Sequence, residues 1–525
     1  MVHIGHLSPS PYLPLSCHGA SLVPQLLFFE PESFVRSRTG EECVVAMTDQ
    51  WYLRYGEETW RDQVTAHVND PSKFAPYSQE ILDKFNFTLG WLNEWACSRL
   101  FGLGTQLPWD PKWVIESLSD STIYMAYYTI AHMLQGEANL DGTGAAPCGI
   151  TPDQLNDAVF NFIFLRGPVP EGTAIPVATL EALRAEFEYW YPMDLRVSGK
   201  DLIGNHLTMA LYNHAAVWKD RPELWPRGYY TNGHVNLNNE KMSKSTGNFL
   251  MLEEAVEKFS ADATRLALGF AGDTMENANF ETDMANAACQ MLFLEEKFVV
   301  DVVADKAAGK LRTGDMLKME ANVLNEINRF VLETEAHFDK MMWRDGLNVG
   351  SAQLRNLRDF YREWCGRMDV AMHAAVIDRY VDVSLLLIAP VCPHFAETLW
   401  TGVLGRPGSV LAAAWPTVAG PVDAKASREL RFLQKTVKNL RAAAAKDKTK
   451  APTKGAIFIA DVYADWKIAT LAFMQALWRP AAGGDKNAGS LPAKKDLMSA
   501  LTSGLLTQSA ELGVRTYFLS LFVCV

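Results

Sequence analysis

Apolar residues recur at three- and four-residue spacing through much of the second half of the chain. Met284 to Val303, Leu317 to Phe338, Val349 to Met368 and Val370 to Leu387 each carry such a stripe. Together they predict an all-helical bundle. The first half is more mixed. From Thr48 to about Leu100 the pattern is aromatic-rich and helical, with Glu80-Ile81-Leu82-Asp83-Lys84-Phe85 leading into Leu89, Trp91, Leu92 and Trp95. Gly102 to Asp110 reads as a loop punctuated by Pro108 and Pro111, and Ser121 to Leu134 as a helix. Residues 136–149 hold four glycines and a proline and read as a second loop. Two helical patterns follow, ending in Phe187-Glu188-Tyr189-Trp190-Tyr191. Leu195-Arg196-Val197-Ser198 alternates apolar and polar, which predicts a short strand. It runs through Gly199 into a helix expected from about Asn205 to Trp218. Strand, glycine, helix is the topology of an α/β nucleotide-binding unit, whose ligands sit outside the carboxyl ends of the strands.

Trp415-Pro416 and Gly420-Pro421 mark a domain edge. A basic helix follows it, and Ala456-Ile457-Phe458-Ile459-Ala460 predicts a strand in a small mixed tail. No internal repeat is found.

Composition narrows the function classes. The 525 residues have room for about three domains, and 48% hydrophobic with 21% charged residues is the balance of a globular protein with substantial cores. The longest apolar run, near Leu385, is broken by Pro390 and falls short of the roughly 20 residues a membrane span needs, so no membrane is expected. The start lacks a basic region and carries Pro9, Pro11 and Pro14, which is not a signal peptide. Residues 1–24 read as an unrelated or disordered leader. None of the eight cysteines lies within four residues of another, so no C-x-x-C zinc site is expected. Scattered cysteines fit a reducing compartment, and the cytoplasm is the expectation. A net charge of −12 excludes a protein that coats nucleic acid over its whole surface. It leaves room for a local RNA face. Lys425 to Lys454 holds ten Lys/Arg against two acids, which suits either a solvated helix face or contact with RNA phosphates.

Three clusters carry candidate chemistry. Lys241-Met242-Ser243-Lys244-Ser245 lies between an expected hairpin, Gly233 to Asn238, and a helix beginning near Leu252. Two lysines three apart among small hydroxyl residues make a mobile cationic loop. It suits the charge that develops on a pentavalent phosphorus and its pyrophosphate leaving group. In the second cluster Gly199 allows close backbone approach after a strand, and Asp201 has the chemistry to accept both ribose hydroxyls. His206 lies on the first turn of the following helix, and a capping role for Asp201 stays open. The third is the helix start Asp120-Ser121-Thr122-Ile123-Tyr124.

The lysine loop resembles the second signature of class I aminoacyl-tRNA synthetases. Trp190-Tyr191-Pro192-Met193-Asp194-Leu195-Arg196-Val197-Ser198-Gly199-Lys200-Asp201-Leu202 is similar to leucyl-tRNA synthetases of eukaryotes and archaea. So are Leu118 to Met125, Thr48 to Tyr52 and Leu387 to His394. The resemblance runs from about Gln25 to Pro421, and weakly from Ala456 to Ser503. It implies an α/β nucleotide-binding (Rossmann-like) catalytic half-domain in 25–283 and an all-α anticodon-binding helix bundle in 284–416. A basic helix and small C-terminal α/β tail would fill 417–525. The implied reaction is ATP-dependent activation of leucine, with Mg2+ accompanying ATP, and transfer to tRNA-Leu. Lys244 would be the phosphate lysine with Lys241 assisting. Met242, Ser243, Ser245, Gly199, Asp201 and His206 would hold ATP or the adenylate, with no protein-held metal. Ser121, Thr122 and Tyr124 would border the leucine pocket, unless this is an ordinary capped helix with a core tyrosine. Other synthetases or further proteins are expected as partners.

The family's first signature is H-x-G-H, and His3-Ile4-Gly5-His6 matches it in letters. In the family it opens a helix. Here Ser8-Pro9-Ser10-Pro11 follows, which cannot continue one. The match is therefore read as incidental. No stretch has room for the family's editing insertion, so the reading is an incomplete copy that does not itself activate leucine. Two alternatives stay open. One is a non-catalytic tRNA-binding or interaction fragment. The other is a synthetase for isoleucine, valine or methionine, against which Trp190 to Leu202 argues. Leu506 to Val525 drifts from the family.

Overall fold

The computed structural model describes residues 4–6, 35–37, 40–43, 49–135, 142–144, 146–243, 247–418 and 420–445, with 463, 468, 472, 475, 479–480 and 489–490. The strand expected at 456–460, Lys244, Ser245 and 506–525 lie outside them.

The chain opens with short strands. β1 (Ile4–His6) pairs antiparallel with β4 (Trp51–Arg54), and β2 (Val35–Arg36) pairs with β3 (Glu42–Cys43). Two helices follow, each started by a side chain that accepts an otherwise unpaired backbone N–H. Glu57 accepts from the Trp60 amide before α1 (Glu58–Val68), and Ser78 from the Ile81 amide before α2 (Gln79–Trp91). Helix therefore fills only the middle of 48–100. Its ends are β4 and β5 (Glu94–Ala96), which pair antiparallel, then β6 (Ser98–Arg99). The loop expected at 102–110 contains β7 (Gln106–Leu107), which with β6 flanks β8 (Asp110–Ile115). These pairings join residues distant in sequence, which a local pattern does not reveal.

The Glu116 carboxylate caps the short α3 (Ser117–Asp120), and α4 (Tyr124–Leu134) begins three residues later than expected. α5 (Asp157–Leu165) and α6 (Val177–Trp190) lead to β9 (Arg196–Gly199). A wide turn at Ile203–Leu207 runs into α7 (Thr208–Val217). β10 (Tyr229–Asn232), β11 (Val235–Leu237), β12 (Glu240–Lys241), α8 (Leu252–Phe259), α9 (Ala261–Ala271) and β13 (Ala278–Phe280) complete this half. Its core is strongly aromatic. Tyr55, Trp60 and Tyr212 meet with ring centroids 4.9–5.3 Å apart, and the buried Phe74 stands edge-on to both Phe85 and Tyr229.

The expected helical bundle follows: α10 (Thr282–Ala307), α11 (Lys318–Asp339), α12 (Trp343–Leu347), α13 (Leu354–Met368), α14 (Ala374–Ile388) and α15 (Pro393–Glu397). They close on Val299, Val331, Leu354, Leu385 and Leu399, all essentially without solvent contact. Two buried carboxylates are fully partnered, as the cost of desolvating a charge requires. Glu295 accepts from Arg358 and, at 2.6 Å, from the Tyr380 hydroxyl. Glu320 accepts from Arg312, from the Tyr361 hydroxyl at 2.9 Å and from the Leu317 amide at 2.7 Å. The bundle is tied to α9 by polar contacts. Arg265 donates to the carbonyls of Val391 (2.7 Å) and Pro390 (3.1 Å), and the Asp262 carboxylate accepts from the Phe395 amide at the start of α15.

α16 (Ala424–Ala444) is the expected basic helix. Its first turns are anchored by the Lys318–Glu429 ion pair (2.8 Å) and by Asn325, which bonds the Asp423 carbonyl and the Ser427 hydroxyl, each at 3.0 Å. Two compact units divide inside this helix, Met1–Gln434 and Lys435–Val525. In the second, β14 (Arg479–Pro480) pairs antiparallel with β15 (Gly489–Ser490). Among the described residues no helix is long and apolar enough to cross a membrane.

Candidate active site

β9 and β10 run parallel in register, from Arg196 opposite Tyr229 to Gly199 opposite Asn232. Both strands therefore end side by side. One exit carries Lys200 and Asp201. The other carries Gly233 and His234 and continues into the β11–β12 hairpin and the lysine loop.

Gly199 has an ordinary extended φ of −89°, so it is not needed for an unusual backbone. A Cβ there would lie 2.7 Å from Asp201 Oδ1 and would push that carboxylate off the strand end. Without one, the Asp201 carboxylate folds back over the strand end with its side chain 60% exposed. The turns that follow begin at Gly199 and Leu202 without a side-chain cap, so the capping role left open for Asp201 is not what the structure shows. Lys200 turns the other way, donating to the Met275 carbonyl and to Asn277 Oδ1, each at 2.9 Å. It acts as a clamp on the segment before β13.

His206 is buried under the helix start that sequence reading assigned to a different part of the site. Its Nε2 lies 3.1 Å from Ser121 Oγ. Burial first, then the Arg196 guanidinium, pushes its pKa down to about 4, so the ring is neutral at pH 7. Its Nδ1 has no partner. Thr122 is also buried, accepting from Asn213 Nδ2 at 2.8 Å and donating to the Ser119 carbonyl at 3.1 Å. Tyr124 is half exposed, with the Arg196 guanidinium 5.4 Å from its ring centre. Further along α4 an open cleft of about 750 Å³ is lined by Met125, Tyr128, Thr129, Trp190, Met193 and Leu195 among others. Ser121 and Thr122 do not line it.

The hairpin turns at Asn238 and Asn239, both left-handed with φ of 51° and 70°. That is the paired conformation of a two-residue type I′ turn, which asparagine tolerates. Lys241 is exposed, while Met242 and Ser243 are half buried, with Met242 packed on the core. The Ser243 amide donates to the Asn248 carbonyl at 2.9 Å, so the loop is pinched at its base. The Asn248 side-chain amide reaches the carbonyls of Lys241 (3.3 Å) and Leu237 (3.4 Å), fixing that base to the hairpin.

Sequence reading missed two residues here. His234 Nε2 stands 3.7 Å from Asp201 Oδ1, and Asn277 Oδ1 accepts from the His234 amide at 3.2 Å. The available signal was Gly233-His234 directly before the hairpin, since a glycine at a strand end marks a close backbone approach. A Cβ on Gly233 would overlap the Glu276 carbonyl.

Two family models match. Residues 181–289 fit the class I (C) tRNA synthetase catalytic domain, and residues 320–459 fit the anticodon-binding domain of tRNA ligases. The cytoplasmic leucine–tRNA ligase of Pongo abelii is 42% identical over 492 residues, covering 91% of this chain and 40% of that protein. The cytoplasmic leucine–tRNA ligase of Dictyostelium discoideum is 41% identical over 504 residues, 91% of this chain and 46% of its own length. The leucine–tRNA ligase of Aeropyrum pernix is 37% identical over 401 residues, 75% of this chain and 39% of its own. Among solved structures, Mycobacterium tuberculosis methionyl-tRNA synthetase in complex with methionyl-adenylate overlaps with a TM-score of 0.49 at 19% identity, over 73% of this chain and 70% of that one. The chain spans less than half the length of these curated relatives. On identity of about 40% sustained over nine-tenths of its residues, the chain belongs to the leucine–tRNA ligase family of cytoplasmic type.

Proposed function

We propose that the chain serves leucine–tRNA ligation in the cytoplasm: ATP-dependent activation of leucine and transfer of the leucyl group to tRNA-Leu. The observation that carries this is the identity of about 40% to leucine–tRNA ligases sustained over nine-tenths of the chain. Leucine's carboxylate attacks the α-phosphorus of ATP and pyrophosphate leaves. A hydroxyl of the tRNA's terminal ribose then takes the leucyl group from the adenylate. Such steps depend on positioning and on stabilising phosphate charge. Lys244 is the residue proposed for that charge, with Lys241 assisting, and Met242, Ser243 and Ser245 are proposed to hold ATP or the adenylate. Gly199 and Asp201 receive the ribose, which the exposure of Asp201 and the place of Gly199 at the end of β9 support. Mg2+ enters on the ATP phosphates, its usual mode in such sites. His206 acts through Ser121, since it is buried against that hydroxyl. Ser121, Thr122 and Tyr124, at the helix start, form the wall proposed for leucine. Helices α10–α15 take the tRNA, largely by shape and phosphate contacts.

The test is leucine-dependent ATP–pyrophosphate exchange on the purified chain, with Lys244→Ala beside it. Exchange that needs leucine and is lost in Lys244→Ala supports ligation by this chain and overturns the expectation that it does not itself activate leucine. A folded chain with no exchange that still binds tRNA-Leu supports the tRNA-binding alternative instead.

A further inference from the structure

His234 combines a fixed backbone with a free side chain. Its amide is held by Asn277, and Asn277 is held in turn by Lys200. Gly233 abuts the Glu276 carbonyl so closely that no side chain fits, and its amide donates to Thr274 O at 3.1 Å. β11 then pairs with β13 from Val235 onward. Four constraints thus locate one residue whose imidazole is 60% exposed. Nothing in the packing needs that ring. Rigid backbone under an exposed polar side chain is the arrangement a binding site requires.

The ring faces Asp201 across a gap of 3.7 Å between Nε2 and Oδ1. That is too long for a hydrogen bond between them. It is the right width for a hydroxyl oxygen lying beside both atoms, at about 2.7–2.9 Å from each. Such a hydroxyl donates to the carboxylate and accepts from the imidazole N–H, which satisfies all three groups. The gap lies where β9 and β10 end, the place where ligands bind in open α/β sheets.

We propose that His234 is a further nucleotide-contacting residue, which with Asp201 grips a ribose hydroxyl of ATP. The proposal rests on the reading of these strand ends as the nucleotide site. The experiment is equilibrium binding of Mg-ATP and of 2′,3′-dideoxy-ATP to the full chain, unmodified and as His234→Ala. A lost hydrogen bond to a ribose hydroxyl predicts roughly tenfold weaker ATP binding and a less than about twofold change for the dideoxy nucleotide. His234→Gln, which retains an N–H donor, should recover part of the loss. The thermal midpoint should not move, because the ring is exposed. Unchanged ATP affinity in His234→Ala, or an equal loss for both nucleotides, overturns the assignment of His234 and leaves the nucleotide site standing. No ATP binding by the unmodified chain overturns the nucleotide site, and the role of His234 with it.

Discussion

Three histidines are held neutral by burial, and each responds to acid in the same direction. His206 and His214 have pKa values pushed down to about 4, and His67 is also lowered by burial. His214 is satisfied as a neutral ring. Its Nδ1–H donates to the Ala210 carbonyl, and its Nε2 accepts from the Tyr191 hydroxyl, both at 2.7 Å. The unfolded chain protonates these rings near pH 6.5, whereas in the fold His206 and His214 resist until about pH 4 and His67 is shifted the same way. Between those values the unfolded state binds more protons, so stability is full above pH 6.5 and falls as pH drops toward 4. Urea midpoints measured from pH 7 to pH 4.5 should decline. In His206→Gln that decline should be shallower, and an unaltered slope would show that His206 does not titrate as its burial implies. His206 and Ser121 were both legible as candidates from sequence. Their contact was not, because it joins residues 85 apart in the chain through tertiary packing.

The elements that local chemistry specifies were the readable ones. The β9 strand, the β11–β12 hairpin, α8 starting at Leu252 and the bundle helices each carry their own period or turn residues. β7 and the strands at either end of the 48–100 region depend on partners elsewhere and were read as loop or helix, and β8 carried no signal that the sequence reading assigned. Two element-scale tests follow from the hairpin and its approach. Gly233→Ala forces a methyl into the Glu276 carbonyl and must move either β10 or the segment before β13. It should cost more than about 2 kcal/mol in urea unfolding and weaken ATP binding, since His234 moves with it. Asn239→Val places a β-branched residue at φ of 70° and removes the Asn279 contact (2.8 Å). A loss of about 1–2 kcal/mol is expected, whereas Asn239→Gly should be close to neutral.

At the scale of the molecule there are two hydrophobic cores, and α9 packs into the same one as the bundle, fastened to it by Arg265. The change of character past Asp273 announced the bundle. What the sequence did not disclose was the fastening, because its acceptors are backbone groups. Arg265→Met gives up two charged hydrogen bonds to the carbonyls of Pro390 and Val391, and should cost about 2–3 kcal/mol in urea unfolding. A loss of about 3 kcal/mol or more is expected for Glu295→Leu, which leaves the buried Arg358 with Asp359 alone as its carboxylate partner. The same fastening constrains how the family can drift. Arg265 grips carbonyls that any residue supplies, so no substitution at 390 or 391 can repair a change at 265. Aligned relatives should therefore show an arginine at this position with no covarying partner opposite it, although the two stretches touch.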